Sequence, residues 1–309
     1  MMASLAGLVP VFAVIVLGYA LKRWRLVAEA FWPAAERLTF TLFFPALLIV
    51  NTAQADLGGG ASAMAAAVIG GCVVVTLLGL PLRRPLRLDG PAFTSFVQAA
   101  VRPNVYVGLA AAAALFGREG TALVSVCVGV GVPTVNVISV LALRRWGQGG
   151  SGHVGLLRAV ALHPLILACA LGLGLNLLGL GLPPVIGPLL QILGAASLPL
   201  GLLAVGAGLN LAALRRSGRG VFVASGLKLF LLPILSLAIA LALGAGRHEA
   251  AIAALYGALP VSATAYVMAR LMGGDAPFLA GAITATTLAA ALTLPLMLAA
   301  LGLAGLLAP

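Results

Sequence analysis

Apolar runs of bilayer length follow one another along this chain with little between them. A helix needs about 20 residues to cross a hydrocarbon core. Ten stretches qualify: 5–21, 34–53, 61–82, 91–116, 120–143, 157–178, 187–213, 219–244, 249–271 and 277–306. Soluble domains are about 25% charged; this chain is 62% hydrophobic and 8% charged, with mean hydropathy +1.17. The sequence therefore predicts an all-α polytopic membrane protein of ten transmembrane helices, with no stretch left for a separate soluble domain.

The net charge of +11 could suggest a nucleic-acid partner, but its distribution points to topology. Alternate loops hold Lys22, Arg23, Arg25, Arg83, Arg84, Arg87, Arg144, Arg145, Arg158, Arg215, Arg216, Arg219 and Arg270, whereas the opposite loops hold only Arg118 and Arg247. Basic loops stay in the cytoplasm, so both termini are expected outside it, in the periplasm of a bacterial inner membrane, and no nucleic-acid partner is expected. The first apolar run precedes its basic cluster, the reverse of a secretory signal, and reads as a retained span. Cys72, Cys127 and Cys169 fall inside apolar runs and read as free, buried thiols, without disulfide or metal site.

Five prolines recur in order. Pro10, Pro45, Pro81, Pro103 and Pro133 pair with Pro164, Pro199, Pro233, Pro260 and Pro295, at separations of 152 to 162 residues. This pattern predicts a duplication: residues 1–146 as a first five-helix repeat, 147–156 as a Gly/Ser-rich cytoplasmic linker, and 157–309 as a second repeat. Five spans begin and end on opposite sides, so the second copy must be inverted, a recurring plan of secondary transporters.

Two of these prolines sit at mid-span among polar residues, in Val101-Arg102-Pro103-Asn104-Val105 and in Tyr256-Gly257-Ala258-Leu259-Pro260-Val261-Ser262-Ala263-Thr264. Proline removes a backbone donor and breaks the helix. Freed backbone at membrane depth is tolerated only against protein or a wet cavity, and transporters bind substrate at such breaks. Arg102 reads either as a positive charge for an anionic substrate or as a side chain snorkelling or pairing with carbonyls. Asn104 offers both a donor and an acceptor to a ligand, or else an interhelical bond. Ser262 and Thr264 either line the same cavity or satisfy carbonyls freed by Pro260. The candidate substrate site is thus Arg102, Pro103, Asn104, Pro260, Val261, Ser262 and Thr264. Asn51, Gln98 and Asn136 read first as packing hydrogen bonders, with Asn51 and Asn136 kept as candidate contacts. Lys228, buried in its span, is either a titrating group or a fixed counter-charge. His163, beside Pro164, reads as structural.

The motifs resemble the auxin efflux carrier family in its bacterial branch, with its malate and malonate permease-like members. They include Leu8-Val9-Pro10-Val11-Phe12, Phe44-Pro45-Ala46-Leu47-Leu48, Arg102-Pro103-Asn104-Val105, Pro133-Thr134-Val135-Asn136, Lys228 with Pro233, Leu259-Pro260, Met272-Gly273-Gly274-Asp275 and Thr286-Thr287-Leu288. The resemblance implies ten helices in two inverted five-helix repeats with crossing broken helices, as in bile-acid symporters and sodium/proton antiporters. It implies that spans one, two, six and seven form a scaffold through which the chain can dimerise, and that spans three to five and eight to ten form a moving transport domain. It also implies that Asn104 contacts a substrate carboxylate; where many members carry a second asparagine, this chain has Thr264.

The expected function is alternating-access transport of a small organic anion, a carboxylate or an auxin-like acid, by a non-enzymatic protein that needs a bilayer and no cofactor. The alternatives are a sodium-coupled symporter of the bile-acid type and a transporter-like ligand sensor.

Overall fold

The computed structural model describes residues 2–55, 58, 60–148 and 162–307. Their regular structure is helical throughout: α1 (Met2–Arg23), α2 (Phe31–Ala53), α3 (Ala61–Arg83), α4 (Gly90–Val101), α5 (Val105–Trp146), α6 (Pro164–Leu177), α7 (Ile186–Ala207), α8 (Leu211–Arg215), α9 (Arg219–Ala242), α10 (Arg247–Gly257), α11 (Thr264–Met272) and α12 (Ala276–Leu303). Six of them, α2, α3, α5, α7, α9 and α12, are long and apolar enough to cross a membrane. Large apolar side chains face outward, among them Ile234 (62% exposed) and Leu292 (66%). Water penalises such a surface and lipid does not.

Local chemistry sets where these helices bend. Pro45 and Pro233 follow the loosely wound turns Thr39–Phe43 and Leu227–Leu231; a wider turn gives a proline ring room against the carbonyl it would otherwise strike. A short loop was expected between residues 116 and 120. There α5 is interrupted: two helical segments meet at a kink at Gly117 (φ 60°, ψ −144°), a conformation essentially restricted to glycine. The expected linker falls largely outside the described residues. Of it, only Gly147 and Gln148 are described, and the Gln148 N–H donates to the Gly273 carbonyl at 2.9 Å.

The chain forms two compact units. The first comprises Met1–Gly58, Tyr106–Gly129 and Ala161–Leu209. It contains α1, α2, α6 and α7, the spans that the family resemblance assigns to a scaffold, together with residues 106–129 of α5, which the resemblance groups with the transport domain. Packing explains the addition: Tyr106 lies against Phe44 at 4.7 Å between ring centres, and the Cys169 thiol reaches the Ser125 carbonyl at 3.6 Å. Small residues let the helices touch at the backbone. Gly18 of α1 meets the backbone of Leu203, Gly206 of α7 meets that of Ile15, and Gly172 of α6 meets Ile49 and Thr52. The Asn176 amide donates to the carbonyls of Ala53 (3.0 Å) and Ala55 (2.8 Å), satisfying acceptors that the end of α2 leaves open.

The second unit comprises Gly59–Val105, Val130–Val160 and Asn210–Pro309. Within it α3 packs on α9 and α10, and α4 packs on α9, α11 and α12. Its core includes Phe93, Phe96, Val221, Ala265, Ala269 and Leu279. Asp89 caps α4 through the Ala92 N–H, and Asp275 caps α12 through the Phe278 N–H, both at 2.8 Å. Ser95 joins these two helix starts by bonding the backbone of Asp275 at 2.9 Å. All three cysteines are free and buried.

Candidate functional site

Two interrupted helices meet inside the second unit. α4 stops at Val101 and α5 begins at Val105; α10 stops at Gly257 and α11 begins at Thr264. Pro103 cannot donate to the Ala99 carbonyl, nor Pro260 to that of Tyr256. The freed backbone groups pair across the gap. The Asn104 N–H donates to the Pro260 carbonyl at 2.7 Å, and the Ser262 N–H donates to the Arg102 carbonyl at 3.3 Å, forming an antiparallel bridge between Pro103 and Val261. Each break thus supplies hydrogen-bond partners to the buried backbone of the other.

The bridge needs a third helix. The Val261 N–H donates to Thr286 Oγ1 of α12 at 2.9 Å, and that hydroxyl donates to the Ala282 carbonyl at 2.7 Å. Sequence reading missed Thr286; its signal was the buried N–H of Val261, which has lost its helical acceptor. Thr286→Val keeps the shape and strands that N–H, so it should cost about 1–3 kcal/mol, read as a lower melting temperature of the purified protein. Thr287→Val should leave melting unchanged or raised, because the neighbouring buried hydroxyl has no hydrogen-bond partner among the described residues.

Arg102 occupies the break itself and is 5% exposed. Its Nε donates to Thr264 Oγ1 at 3.3 Å, its Nη2 to Asn136 Oδ1, and its Nη1 faces the Met268 sulfur at 4.0 Å. Ser262 Oγ lies 2.9 Å from Thr264 Oγ1. Arg102, Asn136, Ser262 and Thr264 therefore form one polar cluster, beside the bridge made by Pro103, Asn104, Pro260 and Val261. Asn104 is also buried. Met268 is a second contact that the sequence reading missed, four residues along α11 from Thr264 and so on the same helix face.

Among the described residues every partner of the guanidinium is neutral. Among the described residues the only ion pair is Lys22–Glu29, at 3.2 Å. An uncompensated buried charge costs several kcal/mol, and a bound anion would offset that cost.

The remaining candidates lie elsewhere. Asn51 belongs to the first unit, where its Nδ2 is buried without a hydrogen-bond partner among the described residues. Gln98 departs from expectation: it is fully buried, one turn before Arg102, and neither end of its amide has a partner among the described residues. Lys228 is fully buried and donates to the Gly257 carbonyl at 2.5 Å. His163 precedes α6, with its ring edge-on to Phe40 at 5.5 Å.

An uncharacterized transporter of Methanothermobacter thermautotrophicus (strain Delta H) is 28% identical over 300 residues, covering 96% of this chain and 97% of that protein. The family described as membrane transport protein matches residues 3–154 and 152–298. With both halves matched and the broken-helix motifs in place, the chain belongs to the membrane transport protein family, the auxin efflux carrier family that its motifs resemble.

Proposed function

We propose that this protein is a secondary transporter that moves a small organic anion, a carboxylate or an auxin-like acid, by alternating access. One observation carries the reading: Arg102 is buried at a helix break with no acidic partner among the described residues. Its cluster and the starts of α5 and α11 concentrate positive potential where the two breaks meet. Asn104, Asn136, Ser262 and Thr264 supply neutral donors and acceptors that can orient a carboxylate without trapping it.

In this reading ten helices span the membrane as two inverted five-helix repeats, 1–146 and 157–309. The loop charges support periplasmic termini in a bacterial inner membrane, and dimerisation would use the first unit. The test is counterflow in proteoliposomes. Preloaded dicarboxylates, monocarboxylates and indole acids are compared with neutral and cationic solutes of similar size. Exchange should be confined to anions, and Asn104→Ala should reduce it at least about tenfold, the value of one hydrogen bond of ordinary to charge-assisted strength. Binding without exchange would replace this reading with that of a ligand sensor.

A further inference from the structure

Lys228 is the second buried cation of this unit, and its position raises a question that the anion site leaves open. It projects from the loosely wound turn Leu227–Leu231 of α9 and is fully buried. Its ammonium donates to the carbonyl of Gly257, the last residue of α10, at 2.5 Å. That carbonyl would ordinarily accept from the N–H four residues on, but the Val261 N–H is taken by Thr286. The C-terminal end of a helix carries partial negative charge. In transporters with broken helices, such ends hold the coupling cation. Here α9 and α10 approach to backbone contact at this place: a Cβ on Gly257 would lie 2.8 Å from Pro233 Cα. The lysine therefore reaches the helix end without crossing open space.

We propose that Lys228 is a tethered cation filling a monovalent-cation position at the carbonyl end of α10, so that removing its ammonium opens this position to sodium, potassium or a small alkylammonium ion. The site itself is independent of which solute is moved. Its consequence, that the protein needs no metal cation at this crossing, rests on the transporter reading.

The experiment measures melting of purified protein in sodium, potassium, ethylammonium and choline chloride at equal ionic strength. Wild type should melt identically in all four salts. Lys228→Ala should melt about 5 °C lower in choline and recover at least half of that loss in one or more of the small cations. Lys228→Met, which fills the space of the lysine stem, should show the loss without recovery in ethylammonium. Should Lys228→Ala be too unstable to purify in choline, its yield with ethylammonium present against choline becomes the readout, and recovery is expected. Cation-independent melting of Lys228→Ala, failure to recover it in any salt, or sodium- or potassium-dependent melting of wild type would each overturn the proposal. None of these readouts involves flux, so this idea and the anion-transport reading can fail separately.

Discussion

Arg102→Ala should abolish anion exchange, by about 100-fold or more, while the protein still reaches the membrane and remains monodisperse. A hydrogen bond to a charged group contributes about 1.5–3 kcal/mol, and a carboxylate facing this guanidinium would lose a paired interaction in a site sheltered from water. The substitution also removes the donor to Thr264 and Asn136, so neutral-solute binding cannot simply take its place. Arg102→Lys separates charge from shape. It retains the cation but cannot span Thr264 and Asn136 together, so exchange should persist with weakened apparent affinity. The backbone bridge between Pro103 and Val261 does not depend on the side chain at 102, which is why folding should survive. Wild-type exchange by Arg102→Ala would remove the guanidinium from the site and leave its burial without a functional explanation.

The second large effect is structural and belongs to the first unit. Gly206→Ala should cost about 3 kcal/mol, the top of the ordinary range for overpacking. A Cβ there would overlap the Ile15 carbonyl oxygen and come within 2.8 Å of the Ile15 carbonyl carbon and 2.9 Å of the Tyr19 nitrogen. These are backbone atoms of α1, so no side-chain rotation relieves the clash, and the α1–α7 contact must open. Gly174→Ala is the control within the same unit, since a Cβ at Gly174 meets nothing within 4 Å. Melting of the two variants in detergent should differ by several degrees, with Gly174→Ala equal to wild type or above it, as expected when glycine is replaced inside a helix. Equal melting of the two would mean that α1 and α7 do not rely on this close approach.

Much of this architecture can be read from residue order, because in lipid every span must close its own backbone hydrogen bonds and so announces itself as an apolar run. The helical character of the apolar runs and the breaks at Pro103 and Pro260 follow from hydropathy and from the missing proline donor. So does the suspicion attached to Arg102, since a charge among apolar residues is conspicuous in one dimension. Asn136 was only half legible: an amide in a span signals a hydrogen bond without naming its partner.

What the sequence could not supply is the identity of groups that meet across distant segments. That Asn104 bonds to Pro260, that Thr286 receives the N–H of Val261 and that Lys228 closes the end of α10 are each decided by helices brought together by packing. Gly117 as a hinge and Gly206 as a point of backbone contact were likewise indistinguishable from the chain's many other glycines until the neighbours were in place. The physical reason is that hydrophobic length is a property of consecutive residues. Satisfaction of a stranded donor, carbonyl or charge is a property of whichever atoms the tertiary structure sets within about 3 Å of it.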